Sequence, residues 1–283
     1  MRSSQIRRPS AVGLLLRQWR NSRRLSQLQL AVRSDVSARH VSFIETGRSN
    51  PSRTVLLRLA EILEIPFRDQ NVLFEAAGYA RFYSESKLRE GEVNKVSPDL
   101  IRRVLDLILK QHEPFSAVAV DRLWNVVMSN EPHRRMLSRL LGVEPDQTDQ
   151  PINLMRLSFD PDGLRPFIVN WPEVARAMLS RIHREIAATR DDRAVALLEE
   201  LLLYPGVPSR WQEPSISGPS DILLPVHIKK GPIELKLFST ITTLGTPLDV
   251  ALQELRIEAF YPADPESEKI LREMNAHHER SLQ

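Results

Sequence analysis

The sequence predicts two folds in one chain: an all-α N-terminal domain, then an α+β C-terminal domain with an antiparallel sheet flanked by helices. Three observations carry this prediction. From residue 10 to about residue 83, apolar residues recur at helical spacing, with a capping residue ahead of several runs. Residues 84–96 are polar, contain Gly91 and have no hydrophobic period. Beyond residue 222 the pattern becomes β-branched and alternating, in segments separated by turn residues. The expected boundaries are 1–83 for the first domain, 84–96 for a linker and 97–283 for the second, a natural partition for 283 residues.

Each element of the first domain has a local cause. Val12, Leu15, Leu16 and Trp19 fall at i, i+3, i+4 and i+7, one face of a first helix. A second helix starts at Ser26. This residue is placed as N-cap, Gln29 as the N3 partner of a capping box, and Leu25 can staple onto Leu30. It ends near Arg33. Ser37 caps a third helix, with Val36 and Val41 as its staple, which runs to about Glu45 and stops at Gly47. Ser49-Asn50-Pro51 form a turn. Residues 52–63 make a fourth helix closed by Pro66, and residues 67–77 a fifth ending at Gly78.

The second domain opens with a helix at 98–111. Two short apolar runs follow, 115–120 and 123–129, with Asp121-Arg122 between them as a hairpin turn. Helices are expected at about 131–141, 151–158 and 171–203, the last broken near Asp191-Asp192. A Pro-rich loop covers 205–220. Residues 222–229, 233–244 and 255–261 read as three antiparallel strands.

Charge is distributed unevenly. Residues 1–60 carry twelve Arg against Asp35 and Glu45 alone, a balance of +10; the remainder sums to −7 in a chain whose net charge is +3. A basic head on an acidic body suits phosphate binding at one end, and it also describes a solvated basic helix surface. Cysteine is absent, which removes disulfides, thiolate nucleophiles and Cys-type zinc sites and fits a reducing cytoplasm. No apolar run approaches bilayer length, and Met1 to Pro9 lacks the form of a secretory signal, so a cytoplasmic location without a membrane partner is expected.

Residues 27–44 carry the pattern of a helix-turn-helix. Ala31 is small where two helices cross, Leu30, Val36, Val41 and Ile44 lock the pair, and Arg33-Ser34-Asp35 form the turn. This stretch resembles the Cro/lambda-repressor-like (XRE) class of regulators. The resemblance is carried by Leu-Ser-Gln-Leu-Gln-Leu-Ala at 25–31, Val-Ser at 36–37 and Ile-Glu-Thr-Gly-Arg at 44–48, and extends over about 12–66. Asp35 departs from the usual Gly, though Asp tolerates the left-handed conformation better than most residues. The resemblance implies sequence-specific binding of a double-stranded DNA operator, and an internal ion pair between Arg20 and Glu45.

In that geometry the helix starting at Ser37 enters the major groove. Ser37, Ala38, Arg39, His40 and Phe43 are then the candidate base readers. Gln27 joins them because it opens the preceding helix, where the family contacts DNA. Phosphate contacts are expected from Arg17, Arg48, Asn50 and Arg53, and from backbone N–H groups at the helix starts Ser26 and Ser52.

Several stretches of the second domain resemble the MmyB-like, PAS-like ligand-binding domain that follows this type of head. They include Asn71 to Ala80, His112-Glu113-Pro114, Val120-Asp121-Arg122, Asn153-Leu154-Met155-Arg156-Leu157, Phe238 to Val250 and Glu254-Leu255. The resemblance implies a small apolar ligand, with fatty acids the favoured class and no other cofactor. Candidate pocket residues are Trp124, Val126, Met128, Asn153, Met155, Phe167, Trp171, Met178, Leu237, Ile241 and Ile257. For an acidic headgroup Arg122, Asn153, Arg156 and Arg165 are the candidates. The apolar residues among them equally describe an ordinary core, and a domain that only dimerises or binds a protein partner is the alternative.

An enzyme is not expected. Lys229, Lys230 and Lys236 accompany strand serines, yet no spacing singles out a nucleophile and base. His277-His278 with Glu279 point in different directions on a helix and suit a frayed polar tail better than a metal site. No catalytic or metal residue is assigned. A homodimer on an inverted repeat is expected from how such heads gain affinity and symmetry.

Overall fold

The computed structural model describes residues 10–85, 98–142, 152–189, 191–213, 225–245 and 247–279. Most of the expected linker (86–96), part of the Pro-rich loop (214–220), residues 222–224 of an expected strand and the side chains of His277, His278 and Glu279 lie outside the described residues. The chain forms two compact units. The described residues up to Glu85, together with Pro247–Gln253, make the first; the remaining described residues make the second.

The first unit is helical: α1 (Ala11–Ser22), α2 (Gln27–Ser34), α3 (Ala38–Glu45), α4 (Arg53–Ile62) and α5 (Phe67–Ala76). Four of the five starts are capped by a serine hydroxyl, Ser10, Ser26, Ser37 and Ser52, each accepting from the N–H three residues on. A cap of this kind contributes about 1 kcal/mol. Ser26 and Gln29 form the complete capping box. Asp35 ends α2 in the left-handed region at φ 54°, the role its position predicted. Val12, Leu16, Leu30, Val41, Ile44, Leu56, Leu59 and Phe74 are buried in one core.

Two features of this unit were not anticipated. Gly13 lies against the end of α3, where an added Cβ would stand 2.3 Å from the Ile44 carbonyl oxygen. The other is the segment Pro247–Gln253, expected in the second domain. Asp249 pairs with Ser84 in a parallel bridge and Val250 N donates to Ser84 O at 2.9 Å. The Phe67 N–H donates to Gln253 Oε1 at 2.8 Å. Pro66 offers no side-chain cap to α5, so this glutamine supplies the missing acceptor.

The second unit holds a five-stranded antiparallel sheet of β1 (Ala117–Val120), β2 (Val126–Ser129), β3 (Val226–Lys230), β4 (Ile233–Thr243) and β5 (Arg256–Pro262), in the order β2-β1-β5-β4-β3. Around it are α6 (Pro98–Gln111), α7 (Glu131–Leu141), α8 (Leu154–Phe159), a 3₁₀ turn (Arg165–Phe167), α9 (Trp171–Thr189) and α10 (Asp192–Leu202). The short α11 (Val250–Glu254), which belongs to the first unit as far as Gln253, precedes β5, and α12 (Pro265–Glu279) ends the described chain. The predicted break at Asp191 is real: its carboxylate caps α10. By contrast, the polar end around residues 277–279 lies within α12 instead of a frayed tail. Its buried Leu271 and Met274 supply the apolar contacts that hold a helix there.

Candidate DNA interface and ligand cavity

Most of the residues expected to contact DNA lie on α2, α3 and the turn after α3. Arg20 and Glu45 are 9% and 3% exposed. Arg20 Nε donates to Glu45 Oε1 at 2.6 Å and Nη2 to Oε2 at 3.0 Å, while Nη1 donates to Leu25 O. This fork ties α1 to the end of α3, as the resemblance implied. Gln27 Nε2 donates to Glu45 Oε2 at 2.8 Å, so the amide of one expected base reader also serves the internal network.

Among the remaining expected readers, Ser37 accepts from His40 N as N-cap, Arg39 is exposed, and Ala38, His40 and Phe43 are half-buried. The Arg39 and Arg48 guanidinium groups lie over the Phe43 ring, 5.2 and 5.7 Å from its centroid. Phe43 therefore seats two cations in addition to offering its edge. Of the expected phosphate contacts, Arg17 and Arg48 are exposed. Asn50 donates to Ala77 O at 3.0 Å, and Arg53 lies over Phe74 and Phe82 at 5.9 and 5.5 Å. Both residues nonetheless remain exposed. The capping box occupies the Ser26 N–H, which donates to Gln29 Oε1 at 2.7 Å, and the Ser52 hydroxyl accepts from Val55 N.

The second unit contains a cavity of about 280 Å³ between the sheet, α7 and α9, near the lower bound of small-molecule pockets at roughly 300 Å³. Trp124, Phe167, Met178 and Leu237 line it, four of the residues expected there. Trp124 reaches it from the β1–β2 turn, in a left-handed conformation at φ 67°. The other seven expected residues are placed elsewhere. Met128 pairs with Ala119 and Ile257 with both Ala119 and Thr242; each belongs to the opposite face of the sheet from Val118, Glu258 and Phe260. Val126, Met155 and Trp171 pack into the core beside the cavity, with Trp171 edge-on to Phe159. Ile241 is 38% exposed near the end of β4. Asn153 caps α8 and donates to Leu123 O.

Of the candidate headgroup arginines, Arg122 and Arg156 are paired with acids, while Arg165 stacks on an indole and its buried Nε has no hydrogen-bond partner. Arg122 is 5% exposed, with Asp191 at 2.8 Å, Glu254 at 3.1 Å and Glu185 at 3.8 Å. Arg156 forks onto Glu200, and Arg165 lies 4.6 Å over the Trp171 ring.

The polar groups on the cavity wall are instead His133, Ser158, Arg181, Ser239 and Glu258. Glu258 is 6% exposed; its Oε1 accepts from Ser239 Oγ at 2.6 Å and from Arg181 at 3.3 Å. His133 shares a 2.7 Å hydrogen bond between Nδ1 and Ser116 Oγ, while its buried Nε2 has no hydrogen-bond partner. Burial, reinforced by the neighbouring Arg134 charge, pushes His133 down to about 4, so the ring is neutral at physiological pH. Glu258 carries little signal in the sequence. In an alternating strand a charged residue reads as solvent-facing, yet here the Glu258 face is covered as well as the opposite one. Among the described residues no His, Asp or Glu cluster suits a metal ion, and no helix is long and apolar enough to cross a membrane.

Comparison with known proteins agrees with both halves. The family model described as MmyB-like transcription regulator ligand binding domain matches residues 101–274, and a helix-turn-helix model matches residues 16–70. An uncharacterised HTH-type transcriptional regulator of Bacillus subtilis (strain 168), RghRB, is 37% identical over 82 residues. The match covers 29% of this chain and only 56% of that relative's length. Solved structures with partial likeness include the clp gene regulator ClgR from Corynebacterium glutamicum, at 24% identity and TM-score 0.22, over 38% of this chain and 94% of that one. ComR from Streptococcus suis aligns at 14% identity and TM-score 0.21, over 70% and 69%. Scores this low bear no argument. The family models do: the chain belongs to the MmyB-like transcription regulator ligand-binding-domain family and carries a helix-turn-helix ahead of that domain.

Proposed function

We propose that this regulator reads an operator through α3 and changes its hold on that operator when an apolar ligand of the fatty-acid class occupies the cavity of the second unit. The observation that carries the reading is the cavity itself, walled by Trp124, Met136, Leu154, Phe167, Met178 and Leu237 in a domain whose family is defined by ligand binding. Methionine on such a wall adapts to flexible chains.

In the DNA-bound state α3 lies in the major groove, with Arg39 placed for a bidentate contact to guanine. Ser37, Ala38, His40 and Phe43 follow along the same helix, and Gln27 stands at the start of α2. Arg17 and Arg48, with the N-termini of α2 and α4, hold the phosphates. Two heads on an inverted repeat double these contacts, so the working species is a homodimer in the cytoplasm. Ligand control requires a difference in ligand affinity between the DNA-competent and DNA-incompetent states.

The test is native mass spectrometry of the purified full chain with organic extraction of any bound compound, alongside operator selection from random duplexes. A bound mass that extracts as an aliphatic acid, and that is lost in a cavity-filling Met178→Trp variant, supports the reading. A domain that stays empty with added fatty acids and serves only to dimerise the chain overturns the ligand half and leaves the DNA-binding half standing.

A further inference from the structure

The cavity wall is balanced in charge before any ligand enters. Among the described residues that line it, Glu258 on β5 and Arg181 on α9 face each other as an ion pair at 3.3 Å. Ser239 on β4 donates to the same Glu258 oxygen at 2.6 Å. His133 on α7 adds a neutral ring. Two positions along the strand, Arg256 pairs with Glu185, which lies one turn beyond Arg181 on α9.

Two hydrogen-bonding positions remain. Both contacts to Glu258 fall on Oε1, which leaves Oε2 as an acceptor, and His133 Nε2 is buried without a partner on the same cavity wall. A carboxylate ligand would set a second anion beside Glu258. If it took Arg181 for itself, it would leave Glu258 without its counter-charge in a covered site, an unfavourable arrangement. A hydroxyl meets no such penalty. Its O–H can donate to Oε2 while its oxygen or the imidazole completes the remaining bond.

We infer that the cavity recognises its ligand as an apolar chain ending in a neutral hydroxyl, supplied either by an alcohol or by a carboxylic acid bound in its protonated form. This rests on the proposed apolar-ligand reading of the same site. It adds that a fatty acid enters with a proton, so its affinity depends on pH in a way that an alcohol's does not. Above the acid's own pKa, near 4.3 for a simple carboxyl, the neutral form becomes about tenfold rarer with each pH unit.

The experiment is calorimetric titration of the full chain with decanoic acid and with 1-decanol, between about pH 5.5 and 7.5. The expected result is 1-decanol binding with constant affinity, and decanoic acid weakening by close to tenfold per pH unit. Glu258→Gln should flatten the acid's profile, because Arg181 is then free to meet a carboxylate. The wild-type profile alone decides the matter should that variant fold poorly. Decanoic acid binding that is independent of pH and tighter than that of the alcohol would overturn the inference while leaving the apolar-ligand reading intact. Absence of binding by either compound at every pH would overturn both.

Discussion

Replacing Glu45 with Ala tests the architecture of the DNA-binding head most sharply. Glu45 is 3% exposed and receives three donors: Arg20 Nε at 2.6 Å, Arg20 Nη2 at 3.0 Å and Gln27 Nε2 at 2.8 Å. Removing the carboxylate leaves a guanidinium that is 9% exposed without its counter-charge. Truncating one member of a buried pair costs about 3–5 kcal/mol. For a domain the size of this head each kcal/mol shifts the melting temperature by roughly 4–8 °C, which is enough to separate α3 from α1 at ordinary growth temperatures. Hydrogen exchange read by mass spectrometry on the full chain is the assay. Protection should fall across residues 11–45 and stay unchanged in β3–β5. An Arg20→Met, Glu45→Leu double variant should recover most of the loss, because no buried charge is left unpaired. Protection in Glu45→Ala within about 1 kcal/mol of the parent would show that the pair does not hold α1 to α3.

Other predictions follow from single contacts. Gly13→Ala places a Cβ 2.3 Å from the Ile44 oxygen, so it should destabilise the head by at least about 1–3 kcal/mol and weaken operator binding, measured by thermal melting and anisotropy. Arg39→Ala should erase about 1–3 kcal/mol of preference at one base position, whereas Arg48→Ala should weaken all duplexes alike and reduce the salt slope by about one. Unchanged selectivity in the first variant would remove Arg39 from the readers. His133 sits at about 4 in the folded chain against an ordinary 6.5. Between those values the unfolded chain takes up a proton that the folded chain refuses. The corresponding stability, on the order of 3 kcal/mol, is present above about pH 6.5 and is lost as pH falls towards 4. Denaturant titrations of His133→Gln should lack that part of the slope.

Local signals made most of the first unit legible. Ser26 and Gln29 announce a capping box, Asp35 marks a left-handed turn, and the apolar spacing of Val12, Leu16 and Trp19 fixes the buried face of α1. Gly13 was missed because close backbone approach leaves no periodic trace in a sequence. Strand alternation revealed β3, β4 and β5, but a sheet covered on both faces does not say which face encloses a cavity. Ile257 and Met128 were accordingly placed on the wrong side, and Glu258 was overlooked. Arg122 looked free for a ligand because its partners Glu185, Asp191 and Glu254 lie 63 or more positions away in the chain. The assignment of Pro247–Gln253 to the first unit depends on tertiary contacts to Phe67 and Ser84 that no local pattern encodes.

Occupancy of the cavity should change operator binding. Fluorescence anisotropy of the full chain on its selected operator, with the cavity empty and then saturated with decanoic acid at constant pH and salt, tests it directly. The expected result is a change in affinity of at least about fivefold, the lower end of typical coupling between two sites, and no change in Met178→Trp. Equal operator affinity for empty protein and for protein shown by native mass spectrometry to be loaded would contradict it.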